Sequence, residues 1–258
     1  MKKYIKDLKV AAVEYPHELY VLLKLTDSEP LPHVHPGQFV EVKVEGSPST
    51  FLRRPISINY VDRENNQLWL LVKKAGDGTR QLATLKPGDC LNLVFPLGNG
   101  FSPVQKQGEK VLLSGGGVGV APLLEYGKYL KENGAQPVFL LGARSASDLL
   151  ELDMFRAVAP VYITTEDGSV GERGFVTQHS VLPEQTFDRI SVCGPKPMMV
   201  SLARYAKQTS TPCEVSLENM MACGLGACLC CVEKTVKGNV CVCKEGPVFN
   251  INDLTWNI

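Results

Sequence analysis

Six of the nine cysteines in this chain lie between positions 223 and 243. Four of them follow the spacing C-x4-C-x2-C-x11-C: Cys223, Cys228, Cys231 and Cys243. Thiolates at loop spacings of this kind ligate plant-type [2Fe–2S] clusters. Gly224 and Gly226 would let a short loop fold tightly and bring its N–H groups close to the cluster. The segment therefore predicts a one-electron carrier.

Two alternatives to this ligand set remain open from the residues alone. A zinc site usually takes two C-x2-C knuckles, and only one is present here. Cys241 competes with Cys243 as the fourth ligand, because both would face the same side of an extended V-C-V-C segment. Cys230 lies between two predicted ligands, so its side chain is expected to point away from theirs.

Composition predicts an ordinary globular chain. Its 258 residues are 44% hydrophobic and 21% charged, and 27 basic residues balance 27 acidic ones. This balance favours neither a nucleic acid nor an anionic membrane as a partner. The first ten residues show no secretory signal, and the apolar run near 111–124 is broken by glycines and too short to span a bilayer. Clustered cysteines in such a chain predict a cytoplasmic location.

Three segments are predicted along the chain: 1–102, 103–212 and 213–258. The first contains short β-rich runs separated by Gly and Pro turns, at 9–13, 19–25, 38–44, 55–61, 67–73 and 90–94. Many short strands with regular turns predict a closed antiparallel β-barrel.

The second and third segments have a different character. Strands at 111–114, 137–141, 161–165 and 189–193 alternate with helical stretches, including 121–133, which predicts a doubly wound parallel α/β sheet. The cysteine-rich third segment is too short to hold a core unaided and is expected to need its metal as a staple. The predicted fold class is thus a multi-domain α+β protein.

Two glycine-containing turns in the second segment predict a dinucleotide site. One contains Gly115, Gly116, Gly117 and Gly119 and opens a helix, where free N–H groups and the helix dipole can hold a pyrophosphate. The other contains Cys193, Gly194 and Pro195 and follows a later strand. The alternative is that such turns are only packing devices.

A second candidate ligand site lies within the barrel segment. Arg54, Pro55, Ile56 and Ser57 combine a guanidinium that suits phosphate with a hydroxyl group. Gly78 and Thr79 form a downstream turn with further N–H groups. The alternative is a solvated arginine pair before an ordinary strand.

Taken together, these motifs resemble a known superfamily. Three motifs are similar to those of ferredoxin–NADP⁺ reductases: R-x-x-S, G-G-G-x-G-x-x-P and C-G-P-x-P-M. In that family the first motif holds a flavin and the other two hold the nicotinamide nucleotide. Residues 218–228 and 243–249 resemble the electron-transfer subunits of type B dihydroorotate dehydrogenase. That resemblance implies FAD, a [2Fe–2S] cluster and NAD as cofactors.

The resemblance also implies the residues of each site. It assigns FAD to Arg54, Pro55, Ile56, Ser57, Leu71, Val72, Lys73, Gly78 and Thr79. It assigns the cluster to Cys223, Cys228, Cys231 and Cys243, because the C-K-x-G-P-V-F context selects Cys243 over Cys241. The nicotinamide nucleotide falls on the two glycine turns.

The implied activity is electron transfer in pyrimidine biosynthesis. Dihydroorotate would be oxidised on a separate FMN-bearing catalytic subunit, in a heterotetramer with two copies of each chain, and the electrons would reach NAD⁺ through this chain. Accordingly, no acid–base or nucleophile set is found, and no catalytic residue is predicted.

Further expectations concern the acceptor, the partner and the alternatives. The resemblance implies that the adenosine ribose lies at the loop after the strand 161–165. Glu166 and Asp167 in that loop, with no arginine beside them, then predict a preference for NAD⁺ over NADP⁺. Apolar residues of the cysteine loop predict a docking patch if they are exposed: Met220, Met221, Leu225, Leu229, Val248 and Phe249.

The alternative functions are the small subunit of a bifurcating transhydrogenase or sulfhydrogenase, and a zinc-stapled nucleotide-binding regulator.

Overall fold

The computed structural model describes residues 2–258, which form two compact units. The barrel unit comprises the residues up to Gly100, Glu218–Glu233 and Asn239–Pro247. The α/β unit comprises Phe101–Leu217, Lys234–Gly238 and Val248–Ile258. Residues 213–258, predicted as a domain of their own, are therefore divided between the two units. The three-domain division stays a prediction.

The barrel unit is built on a seven-stranded sheet with the order β4-β3-β7-β1-β2-β6-β5. Its elements are β1 (Tyr4–His17), β2 (Tyr20–Thr26), β3 (Phe39–Val42), β4 (Arg54–Ser57), β5 (Tyr60–Asp62), β6 (Gln67–Lys73), helix α1 (Asp77–Leu82) and β7 (Cys90–Leu97). All its strand pairs are antiparallel. No pairing joins β4 to β5 in the described residues, so the predicted antiparallel barrel is open at this seam rather than closed.

Alternation of side chains explains how this sheet forms its core. Along β7, Leu91, Leu93 and Phe95 are buried, while the residues between them are half-buried. This two-residue period is typical of a strand with one face in the core. The predicted run 55–61 is two strands, because the chain leaves β4 after Ser57 and the N–H of Asn59 bonds to Trp69 on β6.

The α/β unit contains a second seven-stranded sheet with the order β11-β10-β9-β8-β12-β13-β16. Its elements begin with β8 (Lys110–Gly116), α2 (Ala121–Glu132), β9 (Gln136–Ala143), α3 (Leu152–Val158), β10 (Val161–Thr165), β11 (Glu172–Arg173), α4 (Val181–Glu184), β12 (Arg189–Cys193), α5 (Lys196–Gln208) and β13 (Cys213–Ser216). After a two-stranded hairpin of β14 (Val232–Thr235) and β15 (Gly238–Cys241) come α6 (Val242–Glu245) and β16 (Val248–Asn250).

This second sheet confirms the predicted doubly wound topology. Every pairing is parallel except that of β16 with β13. The strand order reverses between β8 and β12, which is the point where such sheets bind ligands at their carboxyl edge. β8 is buried on both faces after its first residue, as a central parallel strand requires. Across residues 2–258, no helix has the length and apolar character needed to cross a membrane.

Candidate metal and nucleotide sites

Backbone N–H groups surround the sulfur atoms of the cysteine loop. The Sγ atom of Cys223 accepts a hydrogen bond from the N–H of Leu225 at 3.3 Å, and that of Cys243 accepts one from Gly226 at 3.1 Å. The Sγ atom of Cys231 accepts from the N–H of Cys243 at 3.4 Å. Donors arranged in this way favour thiolates over thiols, and thiolates are the ligands that an iron–sulfur cluster needs.

These surroundings act on the thiols in opposite directions. The N–H of Leu225, with further donors at Cys228 and Ala227, lowers the pKa of Cys223 to about 6. Burial, followed by contact with Cys231, raises the pKa of Cys243. Within residues 2–258, no group of three or more His, Cys, Asp or Glu side chains is arranged to hold a metal ion. The four-ligand assignment therefore stays a prediction.

The structure separates Cys241 from Cys243. Strand β15 ends at Cys241 and helix α6 begins at Val242, so the expectation of an extended segment through both cysteines is wrong. Both thiols contact Gly226, but they take different hydrogen-bond roles there. Cys241 donates its S–H to the carbonyl of Gly226 at 3.8 Å, whereas Cys243 accepts an N–H. These roles favour Cys243 as the ligand; Cys230 is exposed.

The cysteine loop packs directly on the barrel. Gly224 has a φ of +66°, and a Cβ atom there would lie 2.7 Å from the Cγ atom of Glu41 and 3.0 Å from a methyl carbon of Leu97. Only glycine combines this backbone angle with so close an approach. The amide of Asn99 also donates to the carbonyls of Lys244 and Glu245, each at 3.0 Å. The predicted cluster loop therefore sits on β3 and β7.

Glu41 is a buried residue of this contact that the sequence reasoning missed. Its side chain is fully buried, and neither carboxyl oxygen has a hydrogen-bond partner in the described part of the chain. Burial raises its pKa to about 7, although the nearby Arg53 acts in the opposite direction. A charge in the otherwise apolar run Phe39–Val42 was the available signal.

The two arginines at the start of β4, Arg53 just before the strand and Arg54 as its first residue, have different roles. Arg53 donates to the carbonyls of Glu41 and Asn92, at 3.2 and 3.1 Å, and is therefore part of the sheet framework. Arg54 lies at the Gly76–Thr79 turn instead: a Cβ atom at Gly78 would be 3.2 Å from its Nε atom. The same hypothetical atom would be 3.2 Å from the hydroxyl of Thr50, a second residue that the sequence did not suggest.

The turn itself forms the start of helix α1, which the sequence predicted only as a glycine turn. The hydroxyl of Thr79 accepts hydrogen bonds from the N–H groups of Ala75 and Gly76, at 2.9 and 3.0 Å. Thr79 therefore shapes the turn, while the first N–H groups of α1 have no partner within the helix. Arg54, Thr50 and these N–H groups fit the diphosphate of a flavin nucleotide.

The remaining predicted flavin residues lie on two strands of the same unit. Pro55, Ile56 and Ser57 are half-buried on β4. Leu71 and Val72 are buried on β6, and Lys73 is exposed at the end of that strand. Their assignment to FAD stays a prediction.

The two glycine turns of the α/β unit meet at the carboxyl edge of the sheet. Cys193 is paired with Gly115 across β12 and β8. A Cβ atom at Gly119 would lie 2.5 Å from the Cα atom of Gly194, so both backbones approach without side chains between them. Gly116 likewise lies beside Pro195 and Met198. These glycines pack the turns together at the edge where such sheets bind a pyrophosphate. Their assignment to the nicotinamide nucleotide stays a prediction.

The predicted preference for NAD⁺ rested on the loop after β10, and the structure differs from the prediction there. Asp167 is held within the loop, since Ser169 donates to its carboxylate from both its N–H and its hydroxyl, at 2.9 and 2.6 Å. The edge strand β11 pairs Arg173 with Thr165, and a Cβ atom at Gly168 would lie 3.2 Å from the Cβ atom of Arg173. The expectation that no arginine stands beside this loop is therefore wrong.

Comparison with known proteins places these features in one family. A model of the iron–sulfur cluster binding domain of dihydroorotate dehydrogenase B matches residues 218–255. The electron transfer subunit of dihydroorotate dehydrogenase B (NAD(+)) from Shouchella clausii is 41% identical over 228 residues, covering 85% of this chain and 86% of the relative. The subunit of the same name from Caldanaerobacter subterraneus is 41% identical over 222 residues, covering 83% and 85%.

Solved structures show the same fold. A chain from the NADH-dependent reduced ferredoxin–NADP oxidoreductase, studied for flavin-based electron bifurcation, has a TM-score of 0.86 and 28% identity, covering 97% of this chain and 90% of that one. Phthalate dioxygenase reductase has a TM-score of 0.67 and 18% identity, covering 93% and 94%, and shows the fold alone.

The fold and motifs define an oxidoreductase of the flavin and pyridine-nucleotide reductase class. Within it, the chain belongs to the family of electron transfer subunits of dihydroorotate dehydrogenase B (NAD(+)). The resemblance seen in the sequence is thereby confirmed, and so is the predicted combination of a β-barrel unit with a doubly wound unit.

Proposed function

We propose that this chain carries electrons from a dihydroorotate-oxidising catalytic subunit to NAD⁺ in pyrimidine biosynthesis, with FAD and a [2Fe–2S] cluster as its own cofactors. One observation carries the proposal: the predicted cluster loop and the predicted flavin residues belong to the same compact unit, where Gly224 packs on Glu41 of β3. When bound, the cluster supplies one-electron transfer and the flavin supplies both one- and two-electron transfer.

The chain's own residues bind and orient these groups. The N–H groups of Leu225 and Gly226 donate hydrogen bonds to the sulfur atoms of two predicted ligands, Cys223 and Cys243, and so orient them. Arg54 offers a guanidinium to a diphosphate at the start of α1. The two glycine turns, which pack together at Gly119 and Gly194, lie at the sheet edge where a dinucleotide binds in folds of this kind.

Substrate oxidation is assigned to the partner, as the sequence predicted. The four histidines are scattered along the chain at 17, 33, 35 and 179. His33 and His35 stack edge-to-face at 4.6 Å between ring centres, in a loop to which we assign no catalytic role. We therefore name no catalytic residue in this chain.

An exposed apolar patch on the cysteine loop supports a docking surface for the partner. Met220, Leu225 and Leu229 are 84%, 47% and 65% exposed, whereas Met221 and Phe249 are buried and belong to the core. The three residues fall within ten positions of one loop. Apolar surface concentrated in one place marks interaction sites, and electron transfer requires the cluster to lie near the docked partner. We assign this patch to an FMN-bearing catalytic subunit, in a heterotetramer with two copies of each chain.

The cytoplasm is the proposed location. All nine cysteines are free thiols, including the closely spaced ones of the loop. A reducing compartment keeps such thiols available to iron.

Reconstitution with the partner tests the proposal. Alone, the loaded chain should oxidise NADH with artificial acceptors but leave dihydroorotate unchanged, and adding the catalytic subunit should produce dihydroorotate-to-NAD⁺ turnover. Met220→Glu and Leu229→Glu should abolish that turnover while NADH oxidation persists. Ile5→Glu, at another exposed apolar position (71%), is the matched control. Dihydroorotate oxidation by the isolated chain would overturn the assignment.

The solved-structure match favours one second candidate, the small subunit of a bifurcating oxidoreductase. Small subunits of that bifurcating group resemble this chain but often have aspartate at the first ligand position. This chain has Cys223 there, and its lowered pKa suits a thiolate ligand. Co-purification of a catalytic subunit that reduces ferredoxin, rather than one that oxidises dihydroorotate, would favour this second function.

A further inference from the structure

A groove of about 730 Å³ opens at the amino ends of β8, β9 and β10. The glycine turn Gly115–Gly119 lies at the opposite ends of β8 and β9. Because β8 has seven residues, the two edges are about 20 Å apart. The groove is therefore distinct from the proposed nucleotide site, and none of the residues discussed above for cofactors lines it.

Three cationic side chains from three elements line the groove, and its lining contains no carboxylate. They are Lys110 at the start of β8, Lys131 in the last turn of α2 and Arg156 in the last turn of α3. The Nζ atom of Lys131 donates to the carbonyl of Ala157 at 3.5 Å. Arg156 is 3.8 Å from Asp153, and both side chains are exposed. The Nζ atom of Lys110 lies 5.5 Å from the centre of the Phe187 ring. None of the three cations faces a carboxylate of the groove lining.

The rest of the lining suits a ligand with a flat or apolar body. Pro137, Val138 and Val158 contribute apolar surface. The hydroxyl of Tyr162 accepts a hydrogen bond from the amide of Gln185 at 2.8 Å, which leaves the hydroxyl hydrogen free for a further acceptor. Grooves of this size hold ligands as large as a nucleotide.

From this geometry we infer that the groove is a second anion site, which binds a phosphate ester with an apolar or aromatic body. The phosphate contacts Lys131, Arg156 and Lys110, and the body lies along the apolar lining beside Tyr162. Phosphate favours such clusters because several charge-assisted hydrogen bonds form at once.

Calorimetric titration of the FAD-loaded chain with phenyl phosphate tests the inference. The titration is run with saturating NAD⁺, so that the glycine turns are occupied, and with phenol as the uncharged comparison ligand. We expect phenyl phosphate to bind and phenol not to bind. Lys131→Gln should weaken binding about tenfold, since a hydrogen bond to a charged group is lost.

Lys207→Gln is the matched control, because Lys207 is also exposed and lies in the last turn of its helix, α5. If Lys131 only interacts with the dipole at the C-terminal end of its helix, Lys131→Gln and Lys207→Gln will lower the melting temperature equally. The two variants will then also bind phenyl phosphate with equal affinity. Equal affinity of the two variants, or no binding by the wild-type chain, would overturn the inference. Arg156→Gln should likewise weaken the binding of phenyl phosphate, which tests the site at a second side chain.

Discussion

A Cβ atom at Gly224 would lie 2.7 Å from the Cγ atom of Glu41, so the predicted cluster loop rests backbone-first on strand β3 of the barrel. This contact fixes the loop within the unit that also carries the predicted flavin residues. It also makes the loop sensitive to any added side-chain atom at position 224. Two predictions follow directly from the two partners of this contact.

Gly224→Ala should displace the loop and reduce cluster content. An alanine at this positive φ costs about 1–2 kcal/mol, and the forced contact adds about 1–3 kcal/mol. Gly238→Ala is the matched control, because Gly238 also has a positive φ (+106°) but open space around its Cβ position. Iron and sulfide content of the purified proteins decides the matter, and equal content in both variants would contradict the packing explanation.

Glu41→Gln should change how stability depends on pH. Burial raises the pKa of Glu41 from 4.5 to about 7, so the folded state holds a proton that the unfolded state has already released. This contribution is fully present below pH 4.5 and is lost as the pH rises through 7, by about 3 kcal/mol in total. The glutamine variant does not titrate here, so its denaturant midpoint should not fall between pH 5 and pH 8 on account of position 41. The midpoint of the wild type should fall over that range, so the variant gains stability relative to the wild type as the pH rises. Glu64→Gln, at an exposed position, is the control, and an unchanged pH slope in the Glu41 variant would contradict the account.

The sequence predicted the regular elements well where local signals were strong. The runs 67–73 and 161–165 match β6 and β10 to the residue, because β-branched and apolar residues end at clear turn residues there. Helix α1 was missed because Gly76, Asp77 and Gly78 are typical of a turn, and only the hydroxyl of Thr79 reveals a helix start.

Long-range contacts explain what the sequence could not supply. Nothing near Glu41 in the chain indicates that Gly224 will cover it, because the two positions meet only through the fold. The same holds for Arg173, which reaches the loop after β10 through the parallel pairing of β11. The cysteine spacing identified the loop, but the different roles of Cys241 and Cys243 depend on the helical turn of α6.

The cysteine assignment predicts a clear split among serine variants. Replacing Cys223, Cys228, Cys231 or Cys243 with serine should disrupt the [2Fe–2S] site, because each removes a thiolate ligand. Cys241→Ser should retain the cluster, since a hydroxyl can still donate to the carbonyl of Gly226, and exposed Cys230→Ser should retain it too. Iron content and the EPR signal of the reduced protein measure this. Cluster loss in Cys241→Ser with retention in Cys243→Ser would reverse the assignment.

The arginine pair predicts a separation between flavin affinity and fold stability. Arg54→Ala should weaken FAD binding by about 1.5–3 kcal/mol, because a charge-assisted phosphate bond is lost, which is about tenfold to more than a hundredfold in affinity. Arg53→Ala should instead lower the melting temperature, because its guanidinium bonds to the carbonyls of Glu41 and Asn92. FAD titration and thermal unfolding of both variants test this, and equal FAD affinity in Arg54→Ala and the wild type would show that Arg54 is only a surface charge.

The acceptor loop predicts a preference for NADH over NADPH that two variants should shift in opposite directions. Glu166 is exposed at the end of β10 and would repel a 2′-phosphate, while Asp167 is held by Ser169. Glu166→Gln should therefore raise kcat/KM for NADPH a few-fold, as an exposed charge contributes about 0.2–1 kcal/mol. Arg173→Gln removes the arginine beside Gly168 and should lower kcat/KM for NADPH while leaving that for NADH unchanged. Steady-state NADH and NADPH oxidation with an artificial acceptor measures both ratios. A wild-type chain that uses NADPH as well as NADH would contradict the expected preference. Unchanged ratios in both variants would show that the adenosine ribose does not lie against this loop.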